Sequence, residues 1–221
     1  MRSTMLDALA IAANGQYLTS PNPSIGCVLV DSHGNTIGQG HTQAAGQAHA
    51  EVMALRDADA NGHLTNGKLP AGTTAYVTLE PCNHQGRTGP CSVALVQSGI
   101  AKVVAANPDP NPLVAGQGFA MLRAAGVEVE LLDANHEHAI AARESYIGFW
   151  QRMTKGVPWV ATVSDHAPDV RQVAAVGEDQ VTVAEEPMGM EVGATESSIG
   201  RFTPSPTSSL NKVPTLAFAS V

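Results

Sequence analysis

Apolar positions recur along this chain in two periods, one near 3.6 residues and one of two, and the switches between them predict its elements. Thr4 to Ala13 carries Leu6, Leu9 and Ala10 behind Thr4, a candidate N-cap, and so predicts a helix with those side chains inward. Gly26 to Val30 and Thr36 to Gly40 predict two strands, and Asp31-Ser32-His33-Gly34-Asn35 between them is rich enough in turn formers to make a hairpin, with His33 in solvent. A helix from His49 to Ala58 bearing Val52, Met53 and Leu55 comes next, then a polar loop from Asn61 to Gly72 that holds His63. Thr74 to Leu79 reads as a buried strand ending at Glu80-Pro81-Cys82. Cys91 opens a helix through Val96, and Ala101 to Ala105, Phe119 to Ala125, Val127 to Leu131 and Ile140 to Trp150 continue as strand, helix, strand and helix. Such alternation predicts a layered α/β fold with helices on a central sheet. It also places Cys82 at the carboxyl end of a strand, where open α/β sheets bind ligands.

The 221 residues suffice for one large domain or a domain with an appendage, and 43% hydrophobic residues provide a core. A formal charge of -8 with no Lys/Arg cluster excludes an extended phosphate-backbone footprint, so nucleic acid is not an expected partner. No run of 18 apolar residues predicts a membrane span, and the opening Met-Arg-Ser-Thr-Met-Leu-Asp has no signal-peptide core. Three cysteines cannot all pair, and thiolates that serve a metal need a reducing compartment. A cytoplasmic protein acting on a small molecule is therefore expected.

Candidate chemistry gathers around His49-Ala50-Glu51, Pro81-Cys82 and Cys91. One imidazole and two thiolates bind zinc while leaving a fourth tetrahedral position open to water, which distinguishes a catalytic zinc site from a closed structural one. Glu51 then remains to move that water's protons. Taken singly, each residue has a plainer explanation, since cysteine packs as a small hydrophobe and a lone His or Glu on a helix is commonly solvated. Their joint order matches the H-x-E and P-C-x-x-C arrangement of zinc deaminases, except that residues 83–90 stand between the two cysteines. Cys27 lies within a strand and is read as core, while His136 and His138 match no motif and are read as surface.

The intervening loop, Cys82-Asn83-His84-Gln85-Gly86-Arg87-Thr88-Gly89-Pro90-Cys91, resembles that of the riboflavin-biosynthesis pyrimidine deaminases, in which a His-x-Gly-Arg/Lys-Thr core joins the two zinc cysteines. Ser20-Pro21-Asn22-Pro23-Ser24-Ile25-Gly26-Cys27, Gly40-His41-Thr42, Asp109-Pro110-Asn111-Pro112 and Gly116-Gln117-Gly118 extend the resemblance over roughly the first 150 residues. Gly89 departs from it, standing where the family more often has proline. The resemblance implies a three-layer α/β/α cytidine-deaminase-like sandwich with a mixed sheet, and one zinc per chain held by His49, Cys82 and Cys91. It implies Glu51 as the proton carrier, and as substrate a diaminopyrimidinone bearing a ribosylamino 5′-phosphate. A homo-oligomer is also implied.

By the same matching, Asn22, His41, His84, Arg87, Asp109 and Asn111 are candidate contacts to base, ribose or phosphate. Arg87 suits phosphate because a guanidinium makes paired charge-assisted hydrogen bonds, against the plainer reading of a solvated loop arginine. Asn22 and Asn111 adjoin prolines, where Asx turns are the competing explanation. Two other functions stay open: a deaminase of another base, nucleotide or RNA, and an inactive zinc-stabilised binding module. The loop length and Arg87 weigh against the first, the retained Glu51 against the second.

The deaminase-like region is expected to span 1–147, with 148–163 resembling the bridge into the reductase that the family usually carries. Residues 164–221 then turn acidic and Ser/Thr/Pro-rich, with short strands conceivable at Val181 to Val183 or Leu216 to Phe218. They lack a Gly-rich dinucleotide fingerprint, so a poorly structured tail is expected and NADPH is not an expected cofactor.

Overall fold

The computed structural model describes residues 4–16, 18–84 and 89–156, and beyond them the backbone of two short strands, 159–162 and 171–174. The chain divides into two units, Met1–Gly156 and Val157–Val221.

The first unit runs α1 (Thr4–Ala13), β1 (Gly26–Val30), β2 (Thr36–His41), α2 (Ala50–Ala60), β3 (Thr74–Val77), α3 (Cys91–Ser98), β4 (Lys102–Ala105), α4 (Gln117–Ala124), β5 (Glu128–Leu131), α5 (Glu137–Ser145) and α6 (Ile147–Lys155). Its five strands form one mixed sheet in the order β2-β1-β3-β4-β5, antiparallel from β2 to β3 and parallel from β3 to β5. The hairpin forms as expected: Asp31 accepts the amide hydrogens of His33 and Asn35 through Oδ1, and His33 is exposed.

Glycines on the sheet set the depth of the helices. A Cβ on Gly26 would lie 1.9 Å from the Ala8 carbonyl, and one on Gly40 would lie 2.5 Å from both Ala54 N and Met53 Cβ. Gly40 pairs with Cys27, the neighbour of Gly26 along β1, and side chains alternate between faces, so α1 and α2 cover opposite faces. α1 also packs on α5, and α3 packs on both α2 and α4, which completes three layers. Such close approach corrects the expectation for α1. It buries the small side chains Ala8 and Ala12 together with Met5, while Leu6 is half exposed. Cys27 is fully buried in the core.

The helix expected from Ile140 to Trp150 is two helices, broken at Tyr146 (φ -129°, ψ 33°). The Tyr146 hydroxyl donates to the Thr78 carbonyl at 3.1 Å and accepts from Asn107 Nδ2 at 3.0 Å, so a bond to the end of β3 competes with helix continuation. His138 is largely buried, contrary to its surface assignment, on the helix α5 that packs against α1, whereas His63 and His136 are exposed.

In the second unit β6 (Trp159–Thr162) pairs antiparallel with β7 (Arg171–Ala174). The region expected to be poorly structured thus contains one paired strand. The strands considered at 181–183 and 216–218 lie outside the described residues. Among the described residues no helix is long and apolar enough to cross a membrane.

Candidate active site

Because β1 runs antiparallel to both β2 and β3 while β4 runs parallel to β3, the start of β1 and the ends of β2, β3 and β4 share one edge of the sheet. Asn22 precedes β1, His41 ends β2, Cys82 follows β3, and Asp109 and Asn111 follow β4. The topology therefore delivers all five to one rim.

His49 is the N-cap of α2, in extended backbone (φ -79°, ψ 169°), and Cys91 is the first residue of α3. That extended backbone lets His49 turn across the helix start, where a residue inside the helix would be tied to its face. Its Nδ1 lies 3.6 Å from Cys82 Sγ and 3.4 Å from Cys91 Sγ, and ligand atoms of the three residues all fall within 4.8 Å of one another. A tetrahedral zinc at about 2.3 Å from sulfur and 2.0–2.1 Å from nitrogen sets nitrogen–sulfur separations of about 3.6 Å. Donor chemistry and spacing both fit zinc. The Cys91 amide also donates to Cys82 Sγ at 3.4 Å, and two helix N-termini meet here, so the partial charges favour anionic sulfur and carboxylate.

The contact with Cys91 lowers the Cys82 thiol from its ordinary value, and the same contact, with burial, raises that of Cys91. His49 is raised from its ordinary value by its bond to Cys82. Glu51 is buried at the start of α2, and burial, followed by the charge on Cys82, pushes its carboxyl up to about 7. A dication among the donors exerts the opposite field on that carboxyl.

Beside Cys82 a shallow cleft is lined by Asn83, His84 and Asp109 among others. Burial raises the Asp109 carboxyl from its ordinary value. Its Oδ1 accepts the Asn111 amide at 2.8 Å, and Asn111 Oδ1 accepts that of Leu113 at 3.1 Å. Both side chains thus make Asx turns, as the competing reading held for Asn111, yet Asp109 also lines the cleft. Asn22 sits in a turn closed by its own amide to the Thr19 carbonyl at 2.9 Å. His41 Nδ1 lies 3.0 Å from the Thr42 carbonyl and 3.4 Å from Gln43 Nε2. Arg87 lies outside the described residues.

Two lining residues escape the motif reading. Asn83 accepts a hydrogen bond from Ser92 Oγ at 2.8 Å, and Glu80 is a buried acid at the foot of the cleft. An acid closing an apolar strand just before proline was the available signal for Glu80.

The profile of the cytidine and deoxycytidylate deaminase zinc-binding region matches residues 1–107. The diaminohydroxyphosphoribosylamino-pyrimidine deaminase of Buchnera aphidicola subsp. Schizaphis graminum is 39% identical over 160 residues, 71% of this chain and 98% of that protein. The chain belongs to the riboflavin-biosynthesis pyrimidine deaminases. Within that family, the riboflavin biosynthesis protein RibD of Haemophilus influenzae is 46% identical over 80% of this chain and 44% of its own length. The chain therefore spans less than half of such RibD proteins. Acinetobacter baumannii RibD, 46% identical, superposes with a TM-score of 0.62 over 71% of this chain and 40% of that one. The mixed sheet and its helices are accordingly the cytidine-deaminase-like sandwich of that family.

Proposed function

We propose that this chain is a zinc-dependent hydrolytic deaminase of the phosphoribosylated diaminopyrimidine of riboflavin synthesis, exchanging a ring amino group for oxygen and releasing ammonia. The observation that carries the proposal is the triad of His49, Cys82 and Cys91 at zinc-like spacing with buried Glu51 beside it. Relatives named for this reaction support it, most directly the Buchnera deaminase, which this chain matches over nearly all of its length.

Zinc bound by the three donors supplies a water acidic enough to serve as nucleophile near neutral pH. Glu51 takes a proton from that water at a carboxyl oxygen and passes it to a ring nitrogen. It then carries the water's second proton from the added oxygen to the departing amino group, which leaves as ammonia because amide ion is too basic to leave. A carboxyl buried at the start of α2, next to the three donors, is placed for both tasks. Asp109 and His84 line the cleft and are assigned to the substrate, with Asn22, His41 and Asn111 assigned along the same rim and Arg87 to the phosphate. The proposal covers the deaminase region alone and assigns no NADPH site. It retains the expectation of a soluble homo-oligomer.

Ammonia release from the phosphoribosylated diaminopyrimidine by the purified chain tests the proposal. Turnover of that compound, with none of cytidine or cytosine, is the expected outcome. A zinc-loaded chain that deaminates none of the three would be the binding module instead.

A further inference from the structure

Glu80 lies between the last residues of the β3 strand exit and Pro81-Cys82, with 5% of its surface exposed. Its carboxylate accepts four backbone hydrogen bonds, all from one segment. Oε2 accepts the amides of Asp109 at 3.1 Å and Gly116 at 2.9 Å, while Oε1 accepts those of Gly118 at 2.9 Å and Phe119 at 3.2 Å. Its own amide donates to the Asn107 carbonyl at 2.9 Å. A second feature points the same way, because a Cβ on Gly118 would lie 2.0 Å from the Pro81 carbonyl. The start of α4 is thus drawn onto the turn that presents Cys82, at a separation only glycine permits.

We propose that Glu80 is a positioning residue that ties the segment 109–119, with Asp109, to the Cys82 turn, so that the substrate-facing wall and the metal-ligand loop form one body. This rests on the deaminase reading for its kinetic consequence, though not for its structural one. Hydrogen bonds to a buried carboxylate are among the stronger ones, and leaving their donors unpaired is costly. Glutamine has the same shape but only one acceptor oxygen. Its NH2 must face either the Asp109 and Gly116 pair or the Gly118 and Phe119 pair, donor against donor, and in either orientation the wall is released. Nothing in the triad itself changes.

The test uses the full chain as wild type, Glu80→Gln, Gly118→Ala and Asp109→Asn. For Glu80→Gln we expect zinc near one per chain, KM for the phosphoribosylated diaminopyrimidine raised about tenfold or more, and kcat within about threefold of wild type. Asp109→Asn should raise KM in the wild type and add little on top of Glu80→Gln. Gly118→Ala keeps the carboxylate but forces α4 off Pro81, and should show the same KM-selective defect. Unchanged KM in a folded Glu80→Gln or Gly118→Ala chain, whatever its melting temperature, overturns the proposal, as does full additivity with Asp109→Asn. Hydrogen exchange on the wild type needs neither substrate nor a variant. The amides of Asp109 and Gly116, although near the surface, should exchange as slowly as those of β3 and β4, and rapid exchange there would equally overturn the clamp. If the wild type deaminated nothing, the functional reading would fail while the exchange experiment still judged the clamp.

Discussion

Glu51 and Cys82 are neighbours in the site, and substitution should separate the tasks proposed for them. Glu51→Gln preserves shape and removes the proton carrier, so zinc content and fold should persist while kcat falls by about 10²- to 10⁴-fold, as measured by metal analysis and steady-state kinetics. A variant within threefold of wild type would take the proton-transfer role away from Glu51. Cys82→Ser removes one of three protein donors, and both bound zinc and turnover should drop together. Zinc retained at wild-type stoichiometry would show that the metal sits elsewhere. These residues were legible in the sequence because side-chain chemistry at fixed spacing marks them. For Glu80 the sequence marks only an acid closing an apolar strand before proline and not its role, because its partners are backbone amides at positions 109, 116, 118 and 119, and a backbone donor has no residue-type signature.

At the level of elements, α2 brings both His49 and Glu51 to the rim, and its distance from the sheet is set by glycines on β2. A Cβ on Gly38 would lie 2.4 Å from the Ala54 carbonyl, and one on Gly40 would lie 2.7 Å from that of Ala50. Gly40→Ala should therefore push the first turn of α2 outward, lowering stability by about 1–3 kcal/mol and weakening zinc binding at the same time. Denaturant unfolding and a zinc competition titration read the two effects. A loss of stability with unchanged zinc affinity would show that α2 yields elsewhere along its length. On the other face, Gly26 of β1 explains why the buried side of α1 differs from the pattern: its close approach leaves room for Ala8 and Ala12, while Leu6 is half exposed and Leu9 only partly buried. The break between α5 and α6 was equally hidden, since Tyr146 leaves the helix for a carbonyl 68 residues away. The hairpin and the order of strands and helices were readable because local turn residues and apolar runs determine them.

On the scale of the molecule, the mixed sheet and the six helices of the described residues lie within Met1–Gly156, and the Buchnera relative aligns over 71% of this chain at nearly its full length. Limited proteolysis should therefore yield a core ending close to Gly156 that retains zinc and ammonia-releasing activity, and trimming that abolished both would make the remainder integral to the enzyme. The ligand positions have a consequence for the polymer as well. His49 is separated from Cys82 by 33 positions and from Cys91 by 42, so a metal held by all three rivets a turn near the middle of the unit to a helix it meets only when folded. An unfolded chain does not hold those donors together, so bound zinc adds its binding free energy to folding, about 2.7 kcal/mol at a hundredfold excess over Kd. Chelation should lower the melting temperature by about 5 °C or more in the wild type and in Glu51→Gln, but hardly at all in Cys82→Ser. Equal melting with and without chelator in the wild type would dissolve the rivet. If it holds, thermal unfolding alone reads how much of a preparation is loaded, with no substrate in the tube.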